Sequence, residues 1–341
     1  MSDLTVNGAF YGQRVTGQQR YATEVAERLA TRDSVRVLRP SAAVSRNAPL
    51  SHAWAHTVLP IAAARGALVS LTSRSPLIAR RHTVVVHDLF VLRHPEWYSP
   101  RYARTHAPLL AAQLRTAAGI VAVSSPVADE IRRLHPRKAV AVAPNAPSDV
   151  FLRASEAALP PAVRRLTDAP GVGGFLFAVG SQDPRKNFAG LVDAYRLLPQ
   201  SLRTAYPLVI AGGDSTVFAE HAVKASPEVH HIGYVPDPAL AALYSCATAV
   251  IVPSLDEGFG LPVVEALTAG GRLAVSDIPV FRWVAGDAVR YFDPTRPERI
   301  ARVVQGMVED PPARGEATIV TCRFDWQSTS DVIADFAMGL Q

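Results

Sequence analysis

Short apolar runs alternate with longer stretches of helical periodicity along nearly all of the 341 residues, the pattern of strands and crossover helices wound around parallel sheets. The runs predict strands at Thr5–Val6, Val35–Leu38, Thr83–Val86, Gly119–Ala122 and Ala139–Val142, with helices between them, notably Gly17–Ala30 and Arg101–Ala117. A second series of the same kind opens with strand Phe175–Val179 and helix Asn187–Leu198. It continues through strands Leu208–Ala211 and His231–Ile232, helix Pro238–Cys246, strand Ala249–Val252, helix Pro262–Ala269 and strand Arg272–Val275.

Between the two series, Ser155–Gly174 carries Pro160, Pro161, Pro170 and a cluster of glycines, the composition of a linker. The expected organisation is an α/β chain of two Rossmann-like domains, residues 1–160 and 161–324, and the 48% hydrophobic content is enough for two cores. Trp326, Val332, Ile333, Phe336 and Leu340 recur at roughly helical spacing, so residues 325–341 are expected to form an amphipathic helix packed back on the first domain. Open parallel sheets hold ligands outside the carboxyl ends of their strands. Two such sheets facing a central cleft would therefore place function in the strand-to-helix loops.

One such loop stands out: Val252-Pro253-Ser254-Leu255-Asp256-Glu257-Gly258-Phe259-Gly260-Leu261-Pro262-Val263-Val264-Glu265. A buried strand enters a Gly-x-Gly bend, and Pro262 stands at a helix start, where its missing N–H costs nothing. Gly258 and Gly260 let the backbone approach a ligand closely, and the free N–H groups of the next turn suit an anion. Two carboxylates, Glu257 and Glu265, bracket the bend. Singly they read as a solvated loop charge and a first-turn helix-dipole partner; together around this bend they suit paired sugar hydroxyls.

These residues resemble the family 4 glycosyltransferases of GT-B architecture, in which two glutamates separated by seven residues frame a Gly-Phe-Gly-Leu-Pro loop. The resemblance implies a retaining, metal-independent transfer of a hexose-type sugar from a nucleoside diphosphate sugar, GDP-mannose or a UDP-sugar. The acceptor would be a hydroxyl of a glycan or a polyprenyl-diphosphate-linked acceptor in envelope or exopolysaccharide synthesis. It further implies that Glu265 holds the donor ribose, that Glu257 lies beside the transferred sugar, and that the Gly258, Phe259, Gly260 and Leu261 backbone meets the donor. Neither a cofactor nor a metal is expected, and no Asp-x-Asp occurs in the chain.

Other segments fit the same frame. After strand Phe175–Val179 come Gly180, Ser181, Gln182, Asp183, Pro184, Arg185, Lys186 and Asn187. Cations at a helix start oppose its dipole unless an anion offsets them; Arg185 and Lys186 are expected to neutralise the departing diphosphate, with Gly180 and Ser181 beside the donor. Val235, in Gly233-Tyr234-Val235, resembles the family's contact to the nucleotide base, although plain packing explains such a loop as well. His87 ends the apolar run Val84–Val86, where the family places a similar His-Asp near donor sugar and acceptor; Asp88 is expected to orient the loop or the imidazole. Gly17, at the mouth of the first long helix, resembles the family's first glycine loop. His52 and His56 have i, i+4 spacing but no recognisable third ligand for a metal. After Ala266 the sequence departs from the family pattern, with Gly270-Gly271-Arg272-Leu273 and Trp283 where a glutamate is common.

Charge is unevenly spread. Residues 1–160 carry 20 Lys+Arg against 10 Asp+Glu, and residues 161–341 carry 15 against 20. A basic first half suits an anionic acceptor or an anionic membrane surface. Base-stacking aromatics interleaved with cations are not evident there, so nucleic acid is not an expected partner. Cys246 and Cys322 are far apart in sequence and lack metal or redox spacing. The first ten residues have no secretory pattern and no apolar run reaches membrane-spanning length, so a cytoplasmic protein, peripheral at the inner membrane face, is expected. Rival readings are a GT-B nucleotide-sugar 2-epimerase; a glycosidase, which could use two carboxylates but has no need for paired cations beside a helix start; an NAD-dependent oxidoreductase, against which no Gly-x-Gly-x-x-Gly follows the first strand; and a non-enzymatic basic RNA- or membrane-binding protein.

Overall fold

A computed structural model describes residues 4–13, 17–181, 183–213, 228–312 and 323–340. Cys322 and Gln182 lie outside the described residues, as does Arg14–Thr16 ahead of Gly17. The chain divides into two compact units: residues 1–95, 100–145 and 324–341, and residues 96–99 with 146–323.

The first unit holds β1 (Leu4–Asn7), β2 (Val35–Leu38), β3 (Ala67–Ser70), β4 (His82–Val86), β5 (Gly119–Ala122) and β6 (Ala139–Val142), in the spatial order β2-β1-β3-β4-β5-β6. Every pairing is parallel. Central strands covered on both faces are apolar for most of their length; β1, β3, β4 and β5 are accordingly buried along their length, whereas edge strands β2 and β6 are partly exposed. β3 had no counterpart in the sequence reading. It lies between β1 and β4 and is fully buried.

The second unit holds β7 (Leu176–Val179), β8 (Leu208–Ala211), β9 (Val229–Gly233), β10 (Ala249–Val252), β11 (Leu273–Ser276) and β12 (Arg290–Phe292), ordered β12-β11-β10-β7-β8-β9 and again wholly parallel. From β7 the chain builds outward to β9, then returns to lay β10 on the other side of β7. The loops leaving β7 and β10 therefore diverge at this sheet's topological switch point, where α/β sheets hold ligands. In the first sheet the corresponding point lies between β1 and β3.

The change of unit falls between Asn145 and Ala146, ahead of the expected boundary at 160. Phe151 explains the difference: it is fully buried against the Tyr244 ring, centroids 6.0 Å apart, which draws the stretch after Asn145 into the second core. Helix Trp326–Gly339 belongs to the first unit, capped by Asp325, whose Oδ2 accepts from Ser328 N at 2.7 Å. Arg81 donates to the carbonyls of Met338 and Leu340 at 2.7 and 2.9 Å, satisfying acceptors that the helix end leaves unpaired. Gly119 lets this helix close on β5, since a Cβ there would come within 2.5 Å of Leu340. Among the described residues no helix is long and apolar enough to cross a membrane.

Candidate active site

At the switch point of the second sheet, β7 runs into Gly180 and a tight turn, Pro184–Lys186, before helix Phe188–Arg196. Asn187 joins turn to helix in the left-handed conformation, φ 53°, which asparagine tolerates better than most residues. Its Nδ2 donates to Pro294 O at 2.8 Å. Arg185 and Lys186 therefore sit on the turn before the helix, and Lys186 Cγ would lie 3.2 Å from any Cβ at position 180, so a glycine there leaves the lysine stem its path.

The cations are offset by the protein's own carboxylates. Asp183, itself buried, accepts from Arg185 Nε and Nη2 at 2.8 and 2.6 Å and from Arg185 N at 2.9 Å. Lys186 Nζ donates to Glu257 Oε1 at 2.5 Å, and Ser254 Oγ donates to the same oxygen at 2.8 Å. The loop after β10 is tied to the turn through its backbone too, Leu255 N donating to Arg185 O at 2.7 Å. Burial pushes the Glu257 carboxyl upward, but the charges of Lys186 and Arg185, with the hydrogen bonds from Lys186 and Ser254, more than offset it and hold it below the ordinary carboxylate range. An anionic Glu257 in a buried position thus depends on Lys186 first, with Arg185 and Ser254 beside it.

Gly260 takes φ 93° and caps helix Leu261–Thr268; a Cβ there would stand 2.7 Å from Phe281 Cε1. Phe259 is buried edge-on to Trp283, centroids 6.1 Å apart. Glu265, one turn into the helix and buried, accepts from the Tyr244 hydroxyl at 3.3 Å. Three glycines, Gly180 after β7, Gly212 after β8 and Gly233 at the end of β9, stitch these strand ends together. Gly180 N donates to Ala211 O at 3.0 Å and Gly212 N to Gly233 O at 2.8 Å, and Gly212, at φ 139°, approaches the Gly180 carbonyl so closely that a Cβ would overlap it. Val235 follows two residues beyond Gly233, after the exposed Tyr234.

A match to the family described as "Glycosyl transferases group 1" covers residues 167–318, which include this whole constellation. The chain is 31% identical over 261 residues to the O-antigen chain mannosyltransferase B of Escherichia coli, covering 73% of this chain and 68% of that one. The chain belongs to the group 1 glycosyltransferases. It is also 30% identical over 179 residues to the serotype-specific mannosyltransferase WbdA of Escherichia coli, matching 49% of this chain and only 22% of that longer protein. In fold, this glycosyltransferase is similar to Anabaena Alr3699/HepE, crystallised with UDP-glucose, at a TM-score of 0.71, with 17% identity and 98% of each chain covered. The two six-stranded parallel sheets are those of the GT-B architecture.

Sequence reading of this glycosyltransferase singled out Gly180, Ser181, Arg185, Lys186, Val235, Glu257, Gly258, Phe259, Gly260, Leu261 and Glu265, all in loops or first turns at strand carboxyl ends of the second unit. His87 and Gly17 belong to the first unit. His87 follows β4, and its Nε2 lies 3.0 Å from Leu71 O. A carbonyl only accepts, so Nε2 carries the proton. Burial lowers the imidazole's affinity for a second one, leaving Nδ1 a lone pair. The Tyr21 ring stands edge-on, 5.0 Å away. Gly17 opens helix Gly17–Leu29 and is exposed. Asp88 turns to the backbone, accepting from Phe90 N at 3.2 Å. His56 Nδ1 accepts from Leu77 N at 3.4 Å, and among the described residues no group of three or more His, Cys, Asp and Glu side chains is placed to hold a metal.

Sequence reasoning assigned no role to Ser254, Asp183, Tyr244 or Gly212. Asp183 carried a signal, since an aspartate two residues before an arginine can accept from both its backbone and its side chain. Tyr244 carried none, because its pairing with Glu265 joins two helices.

Proposed function

We propose that this glycosyltransferase retains anomeric configuration while moving a hexose, mannose first among candidates, from a nucleoside diphosphate sugar to a hydroxyl of a glycan or a polyprenyl-diphosphate-linked acceptor. Envelope glycan assembly is the setting that its mannosyltransferase relatives support. The observation that carries the reading is the buried Lys186–Glu257 pair at the sheet's switch point, a cation and an acid side by side where a ligand would sit.

In this account Lys186 leaves Glu257 for the diphosphate as negative charge grows on it, and Arg185, held by Asp183, reinforces that charge without a metal ion. Glu257, released, accepts from hydroxyls of the transferred sugar. Glu265 takes the ribose hydroxyls, Gly180, Ser181 and residues 258–261 lie along the donor, and Val235 meets the base. The bond from the anomeric carbon to the phosphate oxygen breaks while the acceptor oxygen bonds from the same face, and the acceptor proton passes to the departing phosphate. On the first unit, His87 Nδ1 accepts from a sugar or acceptor hydroxyl.

The test incubates the purified chain with GDP-mannose and with UDP-hexoses, with and without a lipid-linked glycan acceptor, and follows the anomeric signal of the product by NMR. Acceptor-dependent transfer with retained configuration, undiminished by EDTA, is the expected result. Turnover of a UDP-N-acetylhexosamine without acceptor would instead favour epimerisation. Glu257→Ala should lower the transfer rate by about 100-fold, the scale of losing one electrostatic contact to the reacting group.

A further inference from the structure

The switch point of the first sheet, between β1 and β3, holds a polar knot of its own. Asn7, the last residue of β1, donates from Nδ2 to Ser70 Oγ at 3.0 Å and to Arg74 O at 2.6 Å, which pins the loop after β3, residues 71–81, at these strand ends. Two helices grip the loop. From helix Ala48–Ala62, Ser51 Oγ accepts from Arg74 Nη1 at 3.2 Å and His56 Nδ1 accepts from Leu77 N at 3.4 Å. His52 lies between them, directly after Ser51 and one turn before His56. From helix Pro100–Thr116, Gln113 Nε2 donates to Ser73 O and Ser75 O at 2.9 and 3.3 Å. His106 stands two turns before Gln113 on the same helical face, its ring stacked on Tyr102 with centroids 3.7 Å apart.

Arg74, His52 and His106 are therefore gathered around one loop, each partly open to solvent, and neither helix nor the loop carries a carboxylate. Burial first, then the Arg74 charge and, for His52, the neighbouring His106 and His56, hold both rings below the ordinary imidazole range; only the bond from His106 to the Tyr102 carbonyl acts the other way. Cations that repel one another, set where α/β sheets hold ligands, suit an anion. We infer that Arg74, His52 and His106 form a phosphate-binding site in the first unit, and that its ligand is the diphosphate of the lipid-linked acceptor. The assignment of the ligand rests on the acceptor reading proposed above; the site itself does not. Arg74 offers its planar fork of donors to phosphate oxygens. His106 Nδ1 lies 3.1 Å from Tyr102 O, which only accepts, so the proton gained on charging goes to Nε2. An anion beside the rings favours their charged form, so binding takes up protons and tightens as pH falls through the histidine range.

Proton NMR of the histidine rings, assigned with His52→Gln and His106→Gln, reads this site directly, since none of the donor residues of the second unit is a histidine. Inorganic pyrophosphate should raise the titration midpoints of both rings. Arg74→Met, which keeps the stem and removes the fork, should require about ten-fold more pyrophosphate for the same effect. His52→Gln leaves the Arg74–Ser51 bond in place; read from the His106 ring, it should weaken binding at about pH 6 and match wild type at about pH 8. In transfer assays Arg74→Met should raise KM for a diphosphate-linked acceptor by about ten-fold and leave KM for an acceptor without the diphosphate unchanged. Midpoints indifferent to pyrophosphate, or raised equally in wild type and Arg74→Met, would overturn the site. Raised midpoints with both acceptor KM values untouched by Arg74→Met would keep a site for free phosphate and overturn the acceptor as its ligand. Raised midpoints in a chain that glycosylates no diphosphate-linked acceptor would leave the site intact and refute the acceptor reading alone.

Discussion

Replacing Lys186 by methionine keeps the stem that runs past Gly180 and removes the charge beside Glu257. The two side chains are 14% and 9% exposed, so the pair is largely withdrawn from water. Breaking a buried pair from one side costs about 3–5 kcal/mol, and the remaining hydrogen bond from Ser254 puts this case near about 3 kcal/mol at neutral pH. The pH dependence changes sign with the substitution. In the wild type the Glu257 carboxyl is held below its ordinary range, so its stabilising contribution is full above that range and lost as pH falls through the depressed value. In Lys186→Met the upward push of burial is opposed only by the Arg185 charge and the Ser254 hydrogen bond, and the folded carboxyl is expected to rise above its ordinary range. Its proton is then retained at low pH, and stability drains away as pH rises through the new value. Urea unfolding of both proteins at about pH 5 and about pH 8 measures the difference. The deficit of the variant should be small at the lower pH and approach about 3 kcal/mol at the higher. A deficit equal at both, or larger in acid, would refute the dependence of Glu257 on Lys186.

Gly260→Ala forces a side chain into the left-handed region against Phe281, and should cost about 2 kcal/mol, read as a lower urea midpoint. Tyr244→Phe removes the hydroxyl that Glu265 accepts from, and should raise the donor KM by about five-fold with kcat little changed, the effect of one hydrogen bond of about 1 kcal/mol felt in binding. Tyr21→Phe deletes the bond from the fully buried phenol to Ala143 O, 3.0 Å, and should lower stability by about 1–2 kcal/mol in the same urea assay.

The sheets were legible wherever an apolar run stood between polar segments: β2, β5, β6, β8 and β10 occur at the bounds their runs predict. β3 escaped notice because Ile61–Ser70 is alanine-rich and apolar apart from Arg65, Gly66 and Ser70, so the short strand has little contrast with the helix end before it. β12 escaped because a three-residue edge strand opening with Arg290 offers no apolar run. The unit boundary was misread for a related reason. Pro160, Pro161 and the glycines mark a flexible composition, but Phe151 had already committed the chain to the second core. At the candidate site, the Gly-Phe-Gly-Leu-Pro bend and its two glutamates were visible as a local motif. The pairing of Lys186 with Glu257 was not, since it joins residues 71 positions apart through the adjacency of β7 and β10. Sequence showed two cations that wanted an anion; the fold supplies two carboxylates from its own loops, Asp183 to Arg185 and Glu257 to Lys186.

The central claim is that the Lys186–Glu257–Glu265 constellation is a nucleotide-sugar donor site. Titration calorimetry of GDP and UDP into the full chain, alongside Lys186→Met and Glu265→Ala, measures this most directly. One nucleotide should bind per chain, with affinity falling about ten-fold or more in each variant, equivalent to about 1.4 kcal/mol. Unchanged affinity in both variants, or no binding of either nucleotide by the wild type, would contradict the account.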